Sequence, residues 1–210
     1  MNEQGRITVF AGVNGAGKSS ILGEFLRASG GHYFNPDEVT RALLQSAPGL
    51  AFDEANARAW EENRKRLSEA IASGLDYAFE TTLGGSTIAG LLSKAMDAGR
   101  NVDMLYVGLE NVEKHIARVQ SRVRFGGHDI PEHKIRERYR SSMQNLVKLA
   151  PRLSKLRVFD NSSEANPLAG RVPEPRDILM AEHGRIVVHC DLEDCPAWAK
   201  PLFAVLLREG

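Results

Sequence analysis

Gly12-Val13-Asn14-Gly15-Ala16-Gly17-Lys18-Ser19 fits G-x-x-x-x-G-K-[ST] at every fixed position, and it follows the apolar run Ile7-Thr8-Val9-Phe10-Ala11. The spelling has a physical reason. Glycines let the backbone curl with no Cβ in the way, so consecutive N–H groups can point inward at phosphate oxygens. Lys18 adds a mobile positive charge and Ser19 can set its hydroxyl on Mg²⁺. A helix over residues 17–28 would aim its partly positive N-terminus at the same anion. The expected nucleotide-binding set is therefore Gly12, Asn14, Gly15, Ala16, Gly17, Lys18, Ser19 and Ser20, with Ser19 as the metal ligand. The competing reading is a Gly-rich strand-to-helix turn that holds nothing; a strand and a helix on both sides of the motif favour the phosphate loop.

The rest of the composition narrows the class. At 210 residues the chain suits one domain with a small appendage and is long enough to bury a sizeable core. Apolar residues make up 42% and charged residues 26%, the balance of a soluble globular protein. No apolar run approaches the ~20 residues of a membrane span, and the first residues lack a basic head followed by an apolar stretch. The expected compartment is the cytosol, with no membrane partner. Cys190 and Cys195, with His189 alongside, are too few ligands for a structural zinc, so two reduced thiols are expected.

Formal net charge is zero, which disfavours a dedicated nucleic-acid binder, but the distribution is uneven. Residues 114–157 hold 12 Lys/Arg against 3 Asp/Glu, so this segment carries 12 − 3 = +9 and the remainder −9.

Strand-length apolar runs alternate with helical patterns, the signature of an α/β fold with a mostly parallel sheet between helices. Five strands are expected: residues 6–11, 32–34, 77–79, 102–107 and 156–159. Asn35-Pro36-Asp37-Glu38 spells a helix start, with an N-cap, a first-position proline and acids in the first turn. Further helices are expected over residues 53–73, from Gly84-Gly85-Ser86 to near Gly99, and over 111–124, 132–149 and 196–207. Residues 178–180 and 186–188 flank Glu182-His183-Gly184 as a hairpin. The expected division is a core over 1–163, with the hairpin and last helix, 164–210, packed on it.

In an open parallel sheet ligands sit at the carboxyl ends of the strands, so the residues just past each strand are the candidates. Asp37 can take a proton from an attacking hydroxyl or simply stabilise its helix. Glu80 gains nothing structural from its place after Tyr77-Ala78-Phe79, so it can bind a substrate hydroxyl or a metal-bound water. Of Thr81 and Thr82, one faces the site, since neighbouring side chains on a strand alternate. Arg118 and Arg122, i and i+4 on a helix leading into Gly126-Gly127, can close over a phosphoryl group in flight; a solvated basic face is the alternative. His128 is either a turn histidine or a donor on that lid. The fourth strand does not end in the Asp that motor ATPases and GTPases use for Mg²⁺, which favours a small-molecule kinase.

Taken together, the phosphate loop, Asn35-Pro36-Asp37, Phe79-Glu80-Thr81-Thr82-Leu83, the Arg118-Val119 and Arg122-Val123 pairs, Gly126-Gly127-His128, Ile130-Pro131-Glu132, Arg138-Tyr139 and Asp160-Asn161-Ser162 resemble the zeta toxin family over residues 7–163. The resemblance implies an ATP- and Mg²⁺-dependent phosphotransferase acting on a small-molecule hydroxyl; toxin members modify UDP-N-acetylglucosamine and are silenced by a small antitoxin. By that likeness Lys18 grips the ATP phosphates, Asp37 is the base, Thr82 touches substrate, and Arg118 and His128 face the transferred phosphate. One position departs. Where the family has a carboxylate on the helix before the Phe-Glu-Thr-Thr strand, this chain has Arg64, which suits a phosphate or carboxylate on the acceptor better than a sugar hydroxyl. Ile7 is already strand, so no antitoxin segment is expected ahead of the loop. Two rivals remain at this level: an ATP-driven switch whose basic surface recruits a partner, and a kinase or binder directed at nucleic acid through the +9 segment.

Overall fold

The computed structural model describes residues 5–19, 21, 33–163 and 174–209. Six strands form one sheet: β1 Ile7–Ala11, β2 Tyr77–Thr81, β3 Val102–Gly108, β4 Lys155–Asp160, β5 Arg176–Glu182 and β6 Arg185–His189, in the order β2-β1-β3-β4-β5-β6. The first four in that order run parallel, while β5 and β6 are antiparallel. The chain steps from β1 to β2 on one side and then crosses to β3 on the other. The order therefore reverses at β1, and the crevice at such a reversal is where open α/β sheets hold ligands. The loop 12–19 leaves β1 there.

β1 and β3 are apolar on both faces because both are covered. Ile7, Val9 and Ala11 enter one core cluster with Phe79, Met104 and Val158, while Phe10 enters another with Leu105, Val107 and Ile21. This is the near-continuous hydrophobic spelling of a buried parallel strand.

The described helices are α1 Pro36–Ser46, α2 Phe52–Ser73, α3 Ser86–Asp97, α4 Val112–Arg124, α5 Glu132–Leu149 and α6 Lys200–Glu209. Their ends follow local chemistry. Asn35 Oδ1 accepts from Asp37 N at 3.0 Å to cap α1, and Asn111 Oδ1 accepts from Lys114 N at 2.9 Å to cap α4. Gly74, at φ 71°, ends α2 in the left-handed conformation.

Two features differ from the sequence expectation. The strand at 32–34 shrinks to a single parallel bridge, Phe34 to Phe79, because Asn35 and Pro36 turn the chain into α1 at once; His32 lies outside the described residues. The hairpin continues the main sheet. β5 pairs with β4 through Leu156–Ala181 and Val158–Leu179, giving one six-stranded mixed sheet. His183 and Gly184 both take positive φ, 48° and 76°, as a two-residue type I′ hairpin turn requires. Most of the expected helix at 17–28 falls outside the described residues.

Candidate functional site

The loop 12–19 is held in place by three other elements. Gly12 N donates to Thr81 O at 3.2 Å, tying the loop to the end of β2. Gly15 sits at φ 82°, where a Cβ would come 2.7 Å from His115 O of α4. Gly17, at φ 85°, has its Cβ position filled by Asn161 Nδ2, which donates to Ala16 O at 2.8 Å. Any side chain at Gly15 or Gly17 would therefore be strained at the backbone and blocked by a neighbour.

Asn14 is clamped from both sides. Its carbonyl accepts from His115 Nδ1 at 2.9 Å, and its Oδ1 accepts from Arg138 Nη1 at 2.8 Å. His115 is 1% exposed, and burial pushes its pKa down to about 4 against the help of the Asn14 carbonyl, so the ring is neutral and Nδ1 carries the proton. Burial also holds the Arg138 guanidinium below its usual range, while the Asp37 carboxylate pulls it up. Arg138 thus touches the loop with one nitrogen and feels Asp37, which is exposed in the first turn of α1. Its stem packs on Gly84, where a Cβ would come 2.9 Å from Arg138 Cγ.

At the centre lies a buried ion pair. Lys18 Nζ donates to Gly12 O at 2.7 Å and stands 3.3 Å from Glu80 Oε1, the two side chains being 8% and 10% exposed. Glu80 Oε2 is buried with no hydrogen-bond partner among the described residues. That oxygen and the exposed Ser19 hydroxyl are hard donors of the kind Mg²⁺ accepts, and Mg²⁺ bound with phosphates needs only one or two protein oxygens. The residues present therefore fit the ion. Tyr33 borders the pair: its ring meets Phe10 edge-on at 5.7 Å, and burial, then the Glu80 charge, raise its phenol pKa. Thr81 Oγ1 accepts from Leu83 N at 3.0 Å and Thr82 Oγ1 from Gly84 N at 3.4 Å, so both hydroxyls shape the turn after β2.

The remaining candidates separate. Arg118 lies over Gly17 and donates from Nη2 to Asn161 O at 2.7 Å and Ser163 O at 3.2 Å. Arg122 turns to the lid and donates to His128 O at 3.2 Å, its Cγ being 2.6 Å from where Gly127 would carry a Cβ. His128 stacks on Phe52, with ring centroids 3.4 Å apart and planes at 17°, which fastens the lid turn to the start of α2. Arg64 pairs with Glu61 one turn earlier on α2, Nε to Oε2 at 2.8 Å. Ser20 lies outside the described residues. Sequence spacing put Arg118 and Arg122 together as a pair; the structure gives each a different neighbour.

Two residues at the loop were not assigned a role from sequence. His115 carried no signal, being one histidine on an amphipathic helix. Arg138 belonged to a recognised block, but only the fold brings it 124 positions back to Asn14.

No family model matches the chain. A Haemophilus influenzae protein of uncharacterised function is 29% identical over 141 residues, which is 65% of this chain and 94% of that protein. Among solved structures, the AvrRxo1-ORF1:AvrRxo1-ORF2 complex with sulphate ions superposes at a TM-score of 0.65 and 16% identity over 95% of this chain, which spans only 64% of that chain's length. The same complex with ATP gives 0.59 and 18% over 89% of this chain and 61% of the other. The chain shares their fold. The PezAT chromosomal toxin-antitoxin system of Streptococcus pneumoniae superposes at 0.53 with 13% identity, over 82% of this chain and 75% of that one.

Proposed function

We propose that this chain is a P-loop phosphotransferase of the zeta-toxin type, moving the γ-phosphoryl group of ATP to a hydroxyl on a small molecule. The observation that carries the reading is the reach of Arg138, which bonds Asn14 of the Gly-rich loop and lies in the field of Asp37. One guanidinium thus bonds the candidate phosphate cradle and feels the charge of the candidate base. The ATP in one AvrRxo1 structure supports the same nucleotide, and the PezAT toxin-antitoxin system among the structural neighbours supports an antitoxin as partner.

In this reading Lys18 leaves Gly12 O and Glu80 to meet the phosphates, and Arg118 and Arg138 flank the transferred group. Ser19, with Glu80, holds Mg²⁺, whose charge when bound lowers the cost of the anionic transition state. Asp37 accepts the proton of the acceptor hydroxyl, Thr82 lines the acceptor side, and His128 with Phe52 closes the lid. Arg64 marks the acceptor as an anionic molecule, phosphorylated or carboxylated.

The nucleic-acid reading draws little support from the surface. Of the twelve cations in residues 114–157, eight have named partners: Lys114, Arg136, Arg152, Lys155 and Arg157 pair with carboxylates, while Arg118, Arg122 and Arg138 bond main-chain or amide oxygens. The acids Asp97, Glu110, Glu113, Asp177 and Glu182 come from outside the segment, so the charge asymmetry along the chain closes on itself in space.

The test is ATP consumption with and without acceptors, comparing nucleotide sugars with phosphorylated and carboxylated alcohols. A kinase consumes little ATP until its acceptor is added. Asp37→Asn is expected to keep ATP affinity and lose ~10²–10⁴ in kcat; if only the melting temperature moves, Asp37 is a helix-turn acid and the base assignment fails.

A further inference from the structure

The glycines that let the loop 12–19 curl also leave its peptide planes free to turn either way. Gly15 and Gly17 sit at φ 82° and 85°, and a glycine accepts the flipped arrangement about as readily. What holds each plane comes from outside the loop. The peptide joining Asn14 to Gly15 is gripped at its carbonyl by His115 Nδ1 at 2.9 Å, and the peptide joining Ala16 to Gly17 by Asn161 Nδ2 at 2.8 Å. A carbonyl only accepts, so both nitrogens donate. A trans peptide is planar, with its N–H opposite its C=O, and the described residues contain no cis bond. Fixing the two carbonyls therefore points the Gly15 N–H away from His115 and the Gly17 N–H away from Asn161. The N–H between them, on Ala16, is taken by Val13 O at 3.0 Å, while those of Gly15 and Gly17 bond nothing among the described residues.

Both donors are themselves built in. The buried His115 ring meets Tyr139 of α5 edge-on at 5.5 Å, and Ile116 and Val119 of the same helix pack on Val13. With the His115 carbonyl against Gly15, α4 thus meets three successive residues of the loop. Asn161 is buried at the end of β4, where its N–H donates to Gly108 O at 3.0 Å and its main-chain carbonyl accepts from Arg118 Nη2 at 2.7 Å. The His115 ring is neutral, so its contact gives direction without adding charge. Lys18 differs: it holds Gly12 O at 2.7 Å, but it reaches a bound phosphate only by leaving that oxygen.

We infer that His115 and Asn161 are positioning residues, one for each peptide, which keep the Gly15 and Gly17 N–H groups aimed at phosphate oxygens before a nucleotide arrives. The inference rests on the phosphate-loop part of the reading above and adds to it the two side chains that set the loop's aim. Neither touches the phosphates. A donor aimed in advance needs no reorganisation when the anion binds. A peptide free to flip must first be ordered, and in its flipped form it turns a carbonyl oxygen toward the anion.

The experiment titrates inorganic tripolyphosphate into the full chain, labelled with nitrogen-15, and follows the amide proton shifts of the loop. No acceptor or turnover is involved, so the outcome does not depend on phosphoryl transfer. In the wild-type chain the Gly15 and Gly17 amide protons should both move downfield on binding. His115→Leu should lose the Gly15 response and keep that of Gly17, and His115→Asn, whose Nδ2 stands in for the ring Nδ1, should restore it. Asn161→Ala should do the reverse, losing Gly17 and keeping Gly15. Affinity should fall roughly ten- to a hundredfold in His115→Leu and in Asn161→Ala, the range for one hydrogen bond to a charged group. Both responses kept in either variant, both lost together, or no rescue by His115→Asn would each overturn the positioning role. Asn161→Ala and the wild-type spectrum decide the question if His115→Leu does not fold. A wild-type response carried by other loop amides overturns the inference and leaves the phosphate loop standing, whereas no response anywhere in the loop overturns both.

Discussion

Asn14 is bound at its carbonyl by a neutral imidazole and at its side chain by a guanidinium, and the first of these carries a pH signature. His115 titrates near 6.5 when unfolded and near 4 when folded. Between those values the unfolded chain binds the proton and the folded chain does not, so stability is full above pH 6.5 and is lost as pH falls toward 4. The shift corresponds to roughly 3 kcal/mol. Urea midpoints measured from pH 4 to 7 should show that slope, and His115→Gln should flatten it. Lys18 and Glu80 make a second residue-scale case. Removing one partner of a buried pair strands the other charge, at ~3–5 kcal/mol, so Lys18→Ala is expected to lower the denaturation midpoint as well as ATP affinity. Adding Glu80→Gln should restore much of the midpoint without restoring ATP binding, which separates folding from function in one calorimetric series.

Helix ends were legible because their chemistry is local. Asn35 caps α1, Asn111 caps α4 and Gly74 ends α2 where the residue types say they should. Asn35→Ala is expected to cost about 1 kcal/mol by losing the bond to Asp37 N, read as a shift in thermal midpoint. Side-chain partners were less legible: equal spacing on α4 cannot say that Arg118 turns to Asn161 while Arg122 turns to His128. The lid turn at Gly126 is fastened by the His128–Phe52 stack, and the partner sits 76 positions away at the start of another helix. Phe52→Ala should therefore raise the rate of limited proteolysis near Gly126 several-fold and leave the far-ultraviolet spectrum unchanged; equal rates would mean the stack does not restrain the lid.

Across the whole molecule, the C-terminal hairpin closes the open edge of β4 and α6 adds Leu202, Phe203 and Leu206 to the main core. A chain ending at Ser163 would expose the β4 edge and the apolar residues that Ile178 and Leu179 cover. Expression of residues 1–163 alone is expected to yield aggregated protein without a cooperative melt; a soluble, cooperatively folding fragment would show that the core stands by itself. The sequence by itself determined the Gly-rich loop, the parallel α/β pattern and most helix boundaries, since each depends on neighbours within a few positions. The tertiary structure alone decided that β1 lies between β2 and β3, that the hairpin extends the same sheet, and that His115, Arg138 and Asn161 converge on the loop. These contacts join residues 101, 124 and 145 positions apart, and such pairings are chosen by the joint burial of many side chains rather than by any local preference.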